Sequence, residues 1–188
     1  MSSVPHLAFS HIGFYVTQLE PMERFYTGFM GFTITDRGEL DTPSGVQKLI
    51  FLSRDPKEHH QLVLATGRPG DLGFNTINQL SFRVDGFADL REMYRRLADE
   101  EKAGQISELR PVTHGAALSL YFRDPEGNRI ELFMDTPWYV DQPMRVALDM
   151  SLSDEALWKW VEAHARSLPG FVPMEEWRAR VTRQMQSH

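Results

Sequence analysis

Two histidines, a glutamine and a glutamate occupy matched positions in this sequence of 188 residues. His11 and Gln79 open two segments that align at an offset of 68 residues, while His60 and Glu131 open two others at an offset of 71. If these segments belong to two copies of one structural unit, the four side chains would lie at equivalent corners of one pocket. Imidazole nitrogen and amide or carboxylate oxygen all bind divalent cations. The spacing therefore predicts a metal site.

The same repeat predicts the elements that position these side chains. HIGFYVTQLEPMERFY, from His11, aligns with QLSFRVDGFADLREMY, from Gln79, and HQLVLAT aligns less closely with ELFMDTP. Ile12, Phe14 and Val16 alternate with other residues, which is typical of a strand. An apolar stripe at helical spacing follows. Each copy would comprise a strand, a helix and further strands, and would be too small to form a core alone.

The remaining strand candidates are FTITD, VQKLIFLS and HQLVLAT in the first copy and, after a helix around 88–99, ISELRPV, ALSLYF and RIELFM in the second. Strands with one apolar face predict a curved mixed sheet, with helices on one side and the metal pocket on the other. The predicted fold class is α+β, with two βαβββ modules at about 6–67 and 77–137 that form one domain over residues 1–137.

Residues 138–188 lie outside the repeat and are predicted to form a C-terminal helical arm rather than an independent domain. Ser153 can cap a helix that carries two acidic residues in its first turn, where they favour the positive end of the helix dipole. A last helix is expected around 174–186. The inner face of the helix after Ser153 is predicted to consist of Leu157, Trp160 and Val161. This arm would pack on the domain, on a partner chain or over the pocket mouth.

Composition narrows the possible function classes. The net charge is −6 and no block of like charges stands out, which disfavours a nucleic-acid or membrane partner. The chain has no cysteine, so any metal must be bound by nitrogen and oxygen ligands. No run of about 18 apolar residues occurs, and the N-terminus lacks the profile of a signal peptide. A soluble, cytoplasmic protein is therefore expected.

The twofold βαβββ pattern, the opening SHIGFYV and the closing YFRDPEGNRIELF resemble the vicinal oxygen chelate superfamily over roughly residues 6–137. Within that superfamily the sequence is most similar to the single-domain type I extradiol ring-cleavage dioxygenases. The strings that carry this similarity are FLSRDPKEHHQLVLATG, PVTHG and SLYFRDPEGNRIELF.

The resemblance implies roles for individual residues. In these dioxygenases a metal-binding histidine opens the first strand, which matches His11, and a metal-binding glutamate follows a catalytic tyrosine by ten residues, which matches Glu131 and Tyr121. A catalytic acid–base histidine is the second of a His-His pair, which matches His60. Another pocket histidine precedes the tyrosine, which matches His114.

One position departs from the family pattern, because Gln79 stands where the family has its second metal histidine. Glutamine offers a neutral amide oxygen, a harder and weaker donor that would lower the affinity for iron. Related glyoxalase-type enzymes accept glutamine as a ligand and draw ligands from all four corners. Spacing alone therefore leaves both Gln79 and His60 open as ligands.

Some residues keep two interpretations. Alternation places His60 on the side of Leu62 and Leu64, which could be a core face or a pocket face, and only one of the adjacent histidines at 59 and 60 can face the pocket. Arg83 shares the face of Gln79 and could bind an anionic substrate group or form a structural ion pair.

The function implied by the resemblance is that of a metal-dependent dioxygenase that cleaves a catechol-like aromatic by extradiol-type chemistry. Fe(II) is the expected metal, with Mn(II) or another divalent cation as an alternative. His60 would hold or deliver a proton, while Tyr121 and His114 would hydrogen-bond the substrate oxygens. The expected partners are a small aromatic substrate, dioxygen and a second copy of the chain in a homodimer.

Two other functions remain open. A glyoxalase-like, metal-dependent isomerase or lyase is favoured by Gln79. A non-catalytic small-molecule binding protein of the resistance type would need no metal ligands, so His11 and Glu131 disfavour it.

Overall fold

The computed structural model describes residues 8–43, 45–70 and 73–186. The chain divides into two compact units, residues 1–75 and 76–188. The elements of the first unit are β1 (Ile12–Val16), α1 (Leu19–Arg24) with a π-helical continuation (Phe25–Phe29), β2 (Thr33–Thr42), β3 (Gly45–Ser53) and β4 (Leu62–Thr66). Its sheet has the order β1-β4-β3-β2, in which β1 and β4 are parallel and the other pairs are antiparallel.

The second unit begins with the same succession of elements. They are β5 (Leu80–Arg83), α2 (Phe87–Lys102), β6 (Ser107–Thr113), β7 (Ala117–Arg123) and β8 (Arg129–Asp135). The sheet order is β5-β8-β7-β6, again with one parallel pair, β5 and β8, and antiparallel pairs elsewhere. The predicted α+β class and the two βαβββ modules are therefore confirmed.

The strand register corrects one part of the predicted repeat. Ile12 lies opposite Leu62 across the parallel pair of the first module, and Leu80 lies opposite Ile130 across that of the second. Ile12 and Leu80 are 68 residues apart in sequence, and so are Leu62 and Ile130. The whole repeat therefore has that single offset. The counterpart of Glu131 is consequently Val63, and the predicted offset of 71 that matched Glu131 with His60 is wrong. The match that suggested an offset of 71 covers only seven residues, which is too short to fix a register by itself.

The core of the first unit is formed as the sequence pattern predicts. Phe14 and Val16 of β1 are buried while Tyr15 between them is exposed, and Leu62 and Leu64 of β4 are buried beside them. The helix contributes Met22, Phe25 and Tyr26 to the same core.

The first hairpin is longer than predicted. The strand candidates FTITD and VQKLIFLS leave the residues between them outside any strand, but main-chain pairing of β2 with β3 continues through Thr42 opposite Gly45. Gly45 has a φ of +117°, a conformation that favours glycine and lets the chain reverse tightly there.

In the second unit, the turn between β7 and β8 holds those two strands in register. The Asp124 carboxylate accepts hydrogen bonds from the backbone N–H groups of Glu126 and Asn128 and from the Asn128 side chain, at 2.8–3.0 Å. This pattern is the one that makes Asp a turn residue.

The arm contains β9 (Trp138–Tyr139), β10 (Val146–Ala147), α3 (Asp154–Arg166), β11 (Val172–Pro173) and α4 (Met174–Gln186). The predicted cap is confirmed, because the Ser153 hydroxyl accepts a hydrogen bond from the Ala156 N–H at 3.2 Å. Leu157 and Val161 are buried, but Trp160 is 38% exposed, so its predicted inward position is wrong. The inner stripe instead continues at four-residue steps to Ala165, and Trp160 stacks on His164 at the flank of the helix.

The arm packs on the second module. The Trp138 indole is buried and donates to the Gly115 carbonyl at 2.8 Å. Arg91 of α2 donates to the carbonyls of Met150 and Leu152 and forms an ion pair with Asp154 at 2.8 Å. Among the residues that the structure describes, no helix is long and apolar enough to cross a membrane.

Candidate metal and substrate site

Glu131 is the centre of a hydrogen-bonded cluster on one face of the second sheet. It lies on β8, directly opposite Tyr121 on β7 and Ser81 on β5, so the three side chains share a face. Its side chain is buried, with 7% residue exposure. The carboxylate accepts hydrogen bonds from the Ser81 hydroxyl and, at 2.8 Å, from Nε2 of Gln79. These bonds offset the desolvation of the buried carboxylate.

Gln79 precedes β5 and is held by the same cluster. Its Nε2 donates to Glu131 and also to the Ser81 hydroxyl, at 3.0 Å. Because both of these bonds use the nitrogen of the amide, the oxygen Oε1 is the end that can serve as a ligand.

Tyr121 and His114 extend the cluster along β7. The His114 Nε2 lies 3.1 Å from the Tyr121 hydroxyl and 4.0 Å from a carboxylate oxygen of Glu131. The His114 Nδ1 lies 2.8 Å from the Met144 carbonyl, which can only accept, so Nδ1 carries the proton. In the neutral ring Nε2 is then an acceptor. The single proton of the Tyr121 hydroxyl therefore has two acceptors within reach, this nitrogen and the Glu131 carboxylate.

The Tyr121 hydroxyl is held in its protonated form. Its pKa is raised to about 12, and burial is the largest cause. The hydrogen bond to Glu131 and the charge of that carboxylate also raise it. Both effects disfavour a phenolate beside a carboxylate. Tyr121 therefore serves as a hydrogen-bond donor throughout the neutral range.

His11 and His60 meet in the first unit. They precede the parallel strands β1 and β4, and their ring centroids are 4.2 Å apart. Because β4 begins only at Leu62, the alternation that would have put His60 with Leu62 and Leu64 does not extend to it. The pKa of His60 is lowered, first by burial and then by the neighbouring rings of His11 and His59, so the neutral ring is favoured.

The other candidates have structural partners. His59 is exposed, with its Nε2 3.8 Å from an Asp36 carboxylate oxygen. Arg83 forms an ion pair with Asp135 at 3.4 Å and lies over the Phe133 ring. Of the two interpretations of Arg83, the structure thus contains the ion pair.

The predicted site residues fall into two sets, His11 with His60 in the first unit and Gln79, His114, Tyr121 and Glu131 in the second. Among the described residues, no group of three or more His, Cys, Asp or Glu is arranged to hold a metal ion. Within the second module, the Glu131 carboxylate and the Gln79 amide oxygen are both donor types that divalent cations accept. Val63, the counterpart of Glu131, offers no donor.

The chain belongs to the Glyoxalase/Bleomycin resistance protein/Dioxygenase superfamily. The sequence pattern of that family matches residues 8–132 of this chain. A biphenyl-2,3-diol 1,2-dioxygenase 2 from Rhodococcus globerulus is 27% identical over 166 residues, covering 79% of this chain and 80% of that protein. A biphenyl-2,3-diol 1,2-dioxygenase 3 from the same organism is 30% identical over 140 residues, covering 72% of this chain and 66% of that protein.

Solved structures agree on the fold. A glyoxylase/bleomycin resistance protein/dioxygenase domain from Frankia sp. EAN1pec aligns with a TM-score of 0.55 and 26% identity, covering 71% of this chain and 94% of that one. The fosfomycin resistance protein FosX from Mesorhizobium loti aligns with a TM-score of 0.50 and 23% identity, over 71% and 94% of the two chains. The latter similarity concerns the fold alone.

Sequence reasoning missed two contributors to the cluster. Ser81 lies two residues after Gln79, so strand alternation could have placed it on the same face. The Met144 carbonyl, which fixes the tautomer of His114, comes from the arm, and no local pattern in the sequence links these two residues.

Proposed function

We propose that this protein is a metal-dependent dioxygenase that cleaves a catechol-like aromatic substrate by extradiol-type chemistry. The observation that carries the proposal is the arrangement of Tyr121, His114 and Gln79 around the buried carboxylate of Glu131. The two dioxygenase relatives, which are named for an aromatic diol, biphenyl-2,3-diol, support the proposal from outside the structure.

We propose Glu131, Gln79 and His11 as the metal ligands, and Fe(II) as the metal, with Mn(II) as the alternative. Glu131 supplies the negative charge and Gln79 its amide oxygen. His11 enters this set through the repeat, which makes it the counterpart of Gln79. A bound divalent cation would supply Lewis acidity that lowers the pKa of two vicinal substrate oxygens.

The remaining residues act on protons and on substrate orientation. His114 accepts at Nε2 and is fixed in that tautomer by the arm, so it can hold a substrate hydroxyl that donates to it. Tyr121 keeps its proton and donates to a substrate oxygen. His60, whose neutral form is favoured, is proposed to take up and return a proton. We expect a homodimer to be the working form.

Gln79 supports a second candidate, a metal-dependent isomerase or lyase of the glyoxalase type. The strand register weighs against the form of it that uses four ligands, because Val63 occupies the corner that matches Glu131.

Oxygen consumption separates the two candidates. The protein would be purified without oxygen, loaded with Fe(II) and given catechol and methylcatechols in an oxygen-electrode cell. A dioxygenase consumes oxygen in proportion to loss of the aromatic absorbance, whereas an isomerase or lyase consumes none. The same assay would be run on Glu131→Gln, the variant of the proposed ligand. Its matched control is Asp135→Asn, since Asp135 lies on the same strand but pairs with Arg83. Absence of oxygen uptake with every catechol would reject the dioxygenase proposal.

A further inference from the structure

A cavity of about 210 Å³ opens beside Tyr121 in the second unit. An engineered cavity of about 150 Å³ is known to hold a benzene ring, so this one has room for a small organic group. The charged side chains that line it are Glu108, Arg110, Arg123, Arg129 and Arg145. Four arginines thus face one glutamate around a space that borders the proposed catalytic tyrosine.

The sheet register concentrates this positive charge. Arg123 on β7 lies directly opposite Arg129 on β8, and Arg110 on β6 lies directly opposite Tyr121. Like charges directly opposite each other on neighbouring strands are destabilising. Arg123 donates to the Gly127 carbonyl at 2.9 Å and Arg129 to the Asn78 side chain at 3.2 Å, but neither of these neutral acceptors cancels the charge of the pair, which a bound anion would compensate.

Glu108 neutralises part of the cluster. It lies at an irregularity in the pairing of β6 with β7, with a φ of +58°, in the left-handed region that non-glycine residues seldom occupy. Its carboxylate contacts Arg123 at 2.9 Å and Arg110 at 3.6 Å. One carboxylate shared between two guanidinium groups leaves the cavity with excess positive charge.

Arg145 is the arginine best placed to bind a ligand. It belongs to the arm, where the following strand β10 pairs with β6 and so carries Arg145 to the cavity. With the part of the chain that the structure describes, its guanidinium forms no hydrogen bond or ion pair. Its charge reaches Tyr121, where it acts against burial and Glu131 and, like the hydrogen bond with Gln79, lowers the pKa of that hydroxyl.

We propose that this cavity binds an anionic, carboxylate-class substituent of the substrate, with Arg145 as the principal contact and Arg110 beside it. A guanidinium binds a carboxylate through two parallel hydrogen bonds, which fixes orientation as well as charge. Because Tyr121 lines both the cavity and the Glu131 cluster, a bound carboxylate would orient the rest of the substrate toward that cluster. The inference rests on the proposed function in that it takes the ligand to be the substrate.

The binding test uses the metal-free full-length protein and needs no turnover. Phenylacetate and its uncharged analogue phenylacetamide would be titrated by calorimetry into the wild type, Arg145→Glu and the control Arg95→Glu. Arg95 is an exposed arginine of α2 outside the cavity, so its variant has the same change of charge. We expect the wild type and the control to prefer phenylacetate, and Arg145→Glu to weaken that binding on the order of 10-fold or more. Equal affinities for phenylacetate in all three proteins would overturn the inference.

A second measurement separates this inference from the proposed function. With Fe(II)-loaded protein, kcat/KM would be compared for catechol and dihydroxyphenylacetate. Arg145→Glu should lower the value for the acid on the order of 10-fold more than the value for catechol, which lacks the carboxylate. If neither catechol is turned over but phenylacetate binding depends on Arg145, the anion site stands and the dioxygenase proposal fails. If both are turned over and Arg145→Glu affects them equally, the dioxygenase stands and the assignment of the substrate carboxylate to this cavity fails.

Discussion

Tyr121 is expected to titrate well above the ordinary pKa of tyrosine in the metal-free protein, and its titration reports directly on its contact with Glu131. The raised pKa of about 12 has burial as its largest cause, followed by the hydrogen bond and the charge of Glu131. At pH 11 an ordinary tyrosine of pKa about 10 is roughly 90% ionised, whereas a group of pKa about 12 is roughly 10% ionised. The Glu131→Gln substitution removes the charge but not the burial. The pKa of Tyr121 should therefore fall below its wild-type value while staying above 10.

The assay is ultraviolet absorbance of the phenolate, recorded as the difference between each protein and its Tyr121→Phe counterpart, which isolates one of the five tyrosines. Circular dichroism at each pH verifies that the chain is folded. Because the folded pKa is above the unfolded one, the contribution of the neutral hydroxyl to stability is complete below pH 10 and is lost as pH rises from 10 toward 12. Tyr121→Phe should lack this loss. Ionisation of Tyr121 near pH 10 in the wild type, or an identical titration in Glu131→Gln, would refute the reasoning.

Three further perturbations test other parts of the structure. Gln79→His should tighten Fe(II) binding, because imidazole is the better donor for this ion, and equal or weaker binding in a metal titration would remove Gln79 from the ligand set. Gly115→Ala should lower the free energy of unfolding by about 1–3 kcal/mol, because an added Cβ would lie 2.2 Å from Val140 at a φ of +70°. Gly104→Ala is its control, with a φ of +72° but open space, and an equal effect on melting temperature would contradict the clash. Truncation after Thr136 should expose a large apolar patch and cause aggregation, and an unchanged melting temperature and light-scattering mass would show the arm to be a passive tail.

Much of the fold follows from periodicity in the sequence. Alternation through Phe14 and Val16 and the helical stripe from Met22 to Tyr26 correctly predict what is buried, because both patterns derive from local geometry. The exposure of Trp160 was not predicted, because a residue at the edge of an apolar helical stripe can be either buried or exposed. The neighbours of Trp160 include His164, four residues further along the helix.

The candidate site is only partly readable from the sequence. Gln79 and Glu131 were identified by residue type and spacing, and Tyr121 and His114 by the resemblance to the dioxygenases. The structure brings these four side chains together. The counterpart of Glu131 could have been read from the sequence, because the offset of 68 found for His11 and Gln79 also pairs Val63 with Glu131. The opposed arginines of β7 and β8 were missed, because their proximity exists only across strands.

Metal analysis of Glu131→Gln tests the central claim most directly, which is that Glu131 anchors a divalent cation. The wild type, Glu131→Gln and the control Asp135→Asn would be loaded with Fe(II) without oxygen, desalted and assayed by elemental analysis, with circular dichroism to verify the fold. The carboxylate is the only negative charge in the proposed ligand set, and its amide isostere cannot replace that charge. We predict that Glu131→Gln stays folded and loses most of its iron, while Asp135→Asn retains the wild-type content. An unchanged iron content in folded Glu131→Gln would contradict the proposed metal site.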